Sequence, residues 1–258
     1  METAGALKLA LDLADVADGL TMARFRSRDL RVDTKPDLTP VSEADQAVER
    51  AIRDVLAEFP DHAIVGEEYA DHAPVDALYR WIIDPIDGTK SYVRGVPIWA
   101  TLIGLEFEGQ LTVGVASAPA LGMRWWAGSG LGAVRNGEEI TTSAVTSLDD
   151  AQISFAWDTA ERYHADGVGP RLLDLSHRCW RTRGIGDFWQ HLLVAEGAFD
   201  IAVDPVVSLW DVAALVPIIE EAGGRWSTIE GGTDVDGGSF VTTNGMLHDT
   251  VLSALAPR

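Results

Sequence analysis

Two carboxylates stand three residues apart in the stretch Trp81–Thr89, WIIDPIDGT. Asp84 follows an apolar run that reads as a buried strand, and Pro85, which cannot donate to a sheet ladder, is expected to close it. Asp87, Gly88 and Thr89 then read as the entry to a helical turn. Acids at the carboxyl end of a strand lie where α/β proteins bind ligands, and oxygen donors held this way suit a hard cation such as Mg2+. The backbone N–H groups of Gly88, Thr89 and Lys90 would face an anion just beyond it. The chemistry on offer is a divalent metal beside a phosphate cradle. The same residues have a plainer use: Asp-Pro and Asp-Gly are turn punctuation, and Asp87 is a natural helix cap.

The elements that would position these groups can be taken in chain order. Residues 3–27 carry Leu9, Leu13, Val16 and Leu20 at helical spacing, which predicts an amphipathic helix. Arg24, Arg26 and Arg28 at its end suit the helix dipole. Lys35 to Pro40 is predicted as a loop. Ser42 to Asp45 matches a capping box that opens a second helix, with Val48, Ile52, Val55 and Phe59 on one face. That spacing gives Asp45 a purely helical role as one reading. His62–Gly66 reads as a strand delivering Glu67 and Glu68; Glu68 is read as a solvated loop acid. Residues 69–79 are expected to be a polar, mobile connector. Ile98–Phe107 and Leu111–Ser117 alternate as a hairpin, continued by Arg124–Ala127 and Ala133–Ile140.

Polar residues Thr141–Asp150 mark a composition shift, and a boundary there divides the chain into subdomains 1–145 and 146–258. Beyond it strands are predicted at Ile153–Trp157, Trp180–Ile185, Asp200–Val203, Arg225–Ile229 and Ser239–Thr243. Helices are predicted at Arg171–Cys179, Phe188–Glu196, Ser208–Ala222 (kinked at Pro217) and Met246–Leu255.

Bulk composition narrows the function. The chain of 258 residues is 47% hydrophobic with nine Trp, enough for a sizeable core. A formal charge of −20 argues against non-specific binding to nucleic acid or to anionic membranes. An acidic protein that handles a phosphate needs metal ions to reverse the local sign. The single Cys179 excludes an intramolecular disulfide framework and fits the reducing cytoplasm, which is the expected location. No apolar run is long enough to span a bilayer.

Four elements stand in order along the chain: Gly66-Glu67-Glu68, Asp84-Pro85-Ile86-Asp87-Gly88-Thr89, Trp210-Asp211 and Glu221-Ala222-Gly223-Gly224. Alone, Asp211 reads as a first-turn helix acid. Together these elements resemble the inositol monophosphatase family of Mg2+-dependent phosphatases. The resemblance implies a layered αβαβα fold of the inositol monophosphatase/fructose-1,6-bisphosphatase type and a homodimer. It implies one metal on Glu67, Asp84 and the Ile86 carbonyl, a second on Asp84, Asp87 and Asp211, and a third, weaker ion near Glu67. Gly88 and Thr89 would hold the phosphate, and Thr89, bonded to Asp45, would orient the attacking water. Lys35 matches a basic residue near the metals.

Three further stretches resemble the histidinol-phosphate phosphatase branch, which acts in histidine biosynthesis: Lys90–Pro97, Pro119–Ala127 and Arg183–Phe188. That substrate carries an ammonium and an imidazole, so a carboxylate at the specificity loop makes physical sense. Asp187 is the first candidate partner and Asp204 the second, with Asp187 as a helix N-cap the competing reading. Arg183, Lys90 and Arg94 are further substrate-side candidates, although exposed loop charges are their simpler description. Inositol monophosphate and a 3′-phosphorylated adenosine nucleotide are the alternative substrates. An Asn or Ala at Glu67, Asp84, Asp87 or Asp211 would have favoured a binding-only protein, and none is present.

Overall fold

The structure is a computed structural model that describes residues 1–36, 38–75, 77–155 and 167–257. Helix α1 (Thr3–Arg24) and helix α2 (Glu43–Leu56) pack on each other. Between them strand β1 (Val32–Thr34) pairs antiparallel with β2 (Pro40–Ser42). Pro40, predicted as loop, is instead the first residue of β2. On α1 the buried face is Ala6, Leu7, Ala10, Leu13, Ala14 and Ala17, while the expected Val16 is exposed. Alanines win because the helix lies close on a sheet, where small side chains allow approach. On α2 Val48 and Ile52 are buried as expected, but Leu56 replaces Val55 on that face.

The first sheet has seven strands in the order β3-β4-β5-β6-β7-β8-β9. Strand β3 (Ala63–Gly66) runs parallel to β4 (Tyr79–Asp87). The rest is an antiparallel meander: β5 (Ala100–Phe107), β6 (Gln110–Ala118), β7 (Met123–Gly128), β8 (Gly132–Arg135) and β9 (Glu138–Glu139). Strand β4 does not stop at Asp84. It runs on to Asp87 through a shift of register against β5 between those two residues. The bulge takes up Pro85 and Ile86, so the missing N–H of proline leaves no gap in the ladder. The Pro85 carbonyl instead accepts a hydrogen bond from Thr101 Oγ1 at 2.7 Å. Gly88 follows at φ 82° and opens the short helix α3 (Thr89–Val93). A Cβ there would lie 2.9 Å from the Ile98 carbonyl oxygen, so this turn requires glycine.

Residues 141–150 lead to a five-stranded sheet of order β11-β10-β12-β14-β13. Its strands are β10 (Gln152–Phe155), β11 (Arg181–Arg183), β12 (Ile201–Asp204), β13 (Arg225–Ser227) and β14 (Phe240–Thr243). The last two residues of the strand predicted at 153–157 lie outside the described residues. Among the described residues beyond 150 the helices are α4 (Val168–Ser176), α5 (Asp187–Ala195), α6 (Leu209–Val212), α7 (Leu215–Glu221) and α8 (His248–Leu255).

Core packing defines five layers. Helices α1 and α2 cover one face of the first sheet through Leu13, Ile52, Trp81 and Ile103. Its other face meets α5, α6 and α7 through Leu102, Ala116, Phe188 and Ile218, and that core reaches Trp226 and Phe240 of the second sheet. Helices α4 and α8 close the far side through Leu172, Ile201, Val241 and Val251. The arrangement is the αβαβα sandwich. Among the described residues, no helix is long and apolar enough to cross a membrane.

The helix expected at Ser208–Ala222 is broken in two rather than kinked. Pro217 cannot donate to the carbonyl four residues back, that of Ala213, and the chain breaks at Ala213-Ala214. The break rests on two glycines of the first sheet. A Cβ on Gly104 would lie 2.9 Å from the Ala213 carbonyl carbon, and one on Gly114 only 2.0 Å from the Ala214 oxygen. Backbone meets backbone there, so Gly114→Ala is expected to destabilise by about 2 kcal/mol or more. A urea midpoint equal to that of the unmodified chain would contradict this packing.

Candidate active site

Three carboxylates from two elements converge. Asp84 and Asp87 come from the bulged end of β4, and Asp211 from the first turn of α6. Each offers an oxygen within 4.8 Å of the others. Asp84 is 2% exposed and Asp87 9%. Burying like charges together disfavours ionisation. Burial, then the charges of Glu67, Asp87 and Asp211, push Asp84 well above the usual carboxylate range. Burial, then Asp187 and Asp211, do the same to Asp87, although the N–H of Phe188 pulls the other way. Asp211 is raised to about 7, mainly by burial. Such a cluster calls for protons or a cation, and an all-oxygen donor set of this kind fits a hard divalent metal.

The helical reading of Asp211 is also correct, since its Oδ2 accepts the Ser208 N–H at 2.7 Å. Asp87 does act as a cap, but for a distant helix: its Oδ2 accepts the Phe188 N–H at the start of α5 at 2.7 Å. Asp187, in a left-handed conformation with φ 49°, is the first residue of α5 and not its cap, which is Gly186. Asp45 combines both of its readings. Its Oδ2 accepts the Ser42 N–H at 2.8 Å while Oδ1 lies 3.2 Å from Thr89 Oγ1. Burial raises its pKa against the hydrogen bonds from Ser42. Thr89 Oγ1 also lies 2.9 Å from the Ile86 carbonyl oxygen.

Glu67 stands beside this group but is held by Lys35, whose Nζ lies 2.6 Å from its Oε1 and 2.7 Å from Glu68 Oε1. Glu68 is not a solvated loop acid. Its side chain is 4% exposed, and its N–H is taken by the buried Glu49 at 2.8 Å. Burial raises Glu68 to about 7, opposed by Lys35. Burial works against the Lys35 charge, but the hydrogen bonds to Glu67 and Glu68 outweigh it and lift its pKa. The connector that follows is tied back at Ile64, which exchanges backbone hydrogen bonds with His72.

Lys35, Glu67, Asp84, Ile86, Thr89 and Asp211 share an open cavity of about 470 Å³, together with Gly88, Lys90 and Asp187. A smaller cavity of about 130 Å³ adjoins it, sharing Asp87, Asp187 and Asp211 and adding His191 and Asp204. Asp187 is solvent-exposed as a residue, yet protein crowds its carboxyl. One oxygen would lie 3.2 Å from a Cβ on Gly88. Burial and Asp204 push its pKa to about 6, with Lys90 opposing. Two candidates do not join the site. Arg183 is exposed and turns its guanidinium to the Thr182 carbonyl at 2.8 Å, and Arg94, also exposed, lines neither cavity.

Gln190 and His191, absent from the candidates, stand behind Asp204: Gln190 Nε2 lies 2.6 Å and His191 Nε2 3.0 Å from its Oδ2. The signal for His191 was its place one helical turn after Asp187, which puts both on one face.

Residues 4–257 match the inositol monophosphatase family. The histidinol-phosphatase of Mycobacterium tuberculosis is 48% identical over 96% of this chain and 97% of its own length. That of Streptomyces coelicolor is 46% identical over 98% and 97%. Among solved structures, the extragenic suppressor protein suhB of Bartonella henselae superposes with a TM-score of 0.90 at 25% identity, covering 97% of this chain and 98% of that one. An IMPase of Thermotoga maritima gives 0.86 at 30% identity, covering 97% and 96%. The order of the acidic elements, a five-layer sandwich and a match over nearly the whole length agree: the chain belongs to the inositol monophosphatase family.

Proposed function

We propose that this protein is a Mg2+-dependent phosphate monoester hydrolase that converts L-histidinol phosphate and water to L-histidinol and phosphate. The observation that carries the reading is the pairing of an acidic trio with a second acidic cavity where a cationic leaving group would lie. The names of the most similar relatives support it. Enzymes of this family are metal-dependent; the identity of the ion as Mg2+ and a count of two to three per site belong to the proposal.

Asp84, Asp87 and Asp211, with Glu67 and the Ile86 carbonyl, would hold the ions. When bound, a divalent metal neutralises charge on the phosphate and acidifies water. Thr89, set by Asp45 and the Ile86 carbonyl, would hold that water's proton and aim its lone pair at phosphorus. The N–H groups of Gly88 and Thr89 would grip the phosphate oxygens, with Lys90 adding positive charge at the rim. For Glu67 to serve, the Lys35 bond must yield or be shared. Asp187 and Asp204 would meet the ammonium and imidazole of the leaving alcohol. Residues 1–145 thus supply most of the metal and phosphate site, and 146–258 supply Asp211 and the specificity side. Arg94 and Arg183 enter only through a homodimer that brings them to a second copy's cleft, for which sedimentation velocity is the test.

Phosphate release should be measured in Mg2+ from L-histidinol phosphate, myo-inositol 1-phosphate and 3′-phosphoadenosine 5′-phosphate at matched concentrations, with chelator as control. A strong preference for the first is expected; comparable rates on all three would sink the substrate assignment. Asp187→Ala is expected to raise KM for L-histidinol phosphate about tenfold, the loss of a charge-assisted contact. An equal change for an ester without a cationic group, such as 4-nitrophenyl phosphate, would make Asp187 merely structural.

A further inference from the structure

Both side-chain hydrogen bonds to Asp204 fall on the same oxygen, Oδ2, from Gln190 and His191. Those two donors are adjacent on α5, 0% and 2% exposed, on a helix otherwise turned to apolar cores. A carboxylate only accepts, so His191 Nε2 carries the hydrogen. The other ring nitrogen, Nδ1, lies 2.8 Å from Thr242 Oγ1, so both ring nitrogens have a partner. Gln190 Oε1 accepts from Ser154 Oγ at 2.8 Å, and Ser154 Oγ accepts the Ile185 N–H at 3.3 Å. The network therefore reaches the loop that presents Asp187. Among the described residues Asp204 Oδ1 receives no hydrogen bond, and Asp204 lines the smaller cavity.

Buried polar groups are costly unless each is paired, and here the pairing converges on one oxygen at a cavity wall. We infer that Gln190 and His191 are positioning residues for substrate selection: they saturate Asp204 Oδ2, fix its rotamer, and leave Oδ1 for the cationic end of the substrate. Through Ser154 the same network sets the spacing between Asp204 and the Asp187 loop. The inference rests on the substrate reading above, and neither residue touches the reacting phosphate.

Steady-state kinetics on the full chain in Mg2+ test it, with L-histidinol phosphate beside 4-nitrophenyl phosphate. Gln190→Met and His191→Leu should each raise KM for L-histidinol phosphate about tenfold more than for the small ester, as expected for loss of a hydrogen bond to a charged group. His191→Gln, which can place a donor at the Nε2 position, should recover most of the loss. In an Asp204→Ala background Gln190→Met should add less than it does in the parent, because the interaction at Oδ2 is already gone and only the Ser154 link to the Asp187 loop is left to lose. Equal effects on the two substrates, no rescue by His191→Gln, or additive losses in the double variant would each overturn the inference. If Gln190→Met or His191→Leu fails to fold, His191→Gln and the Asp204→Ala background still decide it. An unmodified enzyme without preference for L-histidinol phosphate would remove the substrate reading and this inference with it. A preference retained by Gln190→Met and His191→Leu removes the inference alone.

Discussion

Asp84→Asn is expected to lower turnover on the order of a thousandfold, the scale of losing a preorganised charge-stabilising group. It is also expected to leave the fold intact, and the metal-free variant should melt higher than the metal-free parent. Both effects share one cause. Asp84 is buried against Glu67, Asp87 and Asp211, so neutralising it relieves repulsion while removing an oxygen charge that a cation needs. Asn keeps the shape and one acceptor, so the bond from the Ile86 N–H to the Asp84 Oδ1 position, 2.9 Å in the structure, survives. Rates and calorimetric melts, each with and without Mg2+, check the pair. A variant that turns over at near the parental rate, or still gains stability from Mg2+ as the parent does, would refute the assignment.

Removing metal should make stability fall between about pH 5 and pH 8. Asp84, Asp87 and Asp211 all have pKa values raised by folding, that of Asp211 to about 7. The folded chain therefore holds protons that the unfolded chain, with ordinary values near 4, has already released. Stability from these groups is complete below the unfolded pKa and is lost as pH rises through the folded one. One such group contributes on the order of 2 kcal/mol across that window, so melting in chelator should drop by several degrees. Saturating Mg2+ should flatten the profile, since the cation replaces the protons. Asp84→Asn should flatten it too. A melting temperature in chelator that stays level or rises toward pH 8 would show that the cluster is not charged as described.

How far the sequence carried can be judged at particular residues. Asp84 and Asp87 stand out as acids at the end of a strand, whereas Asp211 reads alone as a first-turn helix acid and joins them only through the resemblance; the fold brings the three together. The capping role of Asp45 is written in Ser42 and its own side chain, while its contact with Thr89 is expected only from the resemblance. The strand and helix signals point to a meander sheet covered by α1 and α2, whereas the five-layer order comes from the resemblance. What escaped was set by contacts between distant elements. Val16 was placed on the buried face of α1 by periodicity, but the close approach to the sheet selected Ala10, Ala14 and Ala17. Glu68 reads as a surface acid because nothing near it in sequence reveals that Lys35 and Glu49 converge on it. Pro85 reads as a strand end, whereas a register shift absorbs it. Asp87 capping α5 and the pair of donors behind Asp204 are likewise products of the tertiary fold.

The broken helix lodged on Gly104 and Gly114 has a consequence for synthesis on the ribosome. The strands of the first sheet emerge early, already carrying Glu67, Asp84 and Asp87, with the glycine track at Gly104 and Gly114 uncovered. The segment that seats on that track, Ala213-Ala214, also delivers Asp211, and it emerges only after β12. A nascent chain therefore exposes a sticky apolar face and an incomplete acidic trio together, and a single docking event removes both. A cation that needs all three acids would therefore bind only after translation has passed residue 214 and the late segment has found its seat.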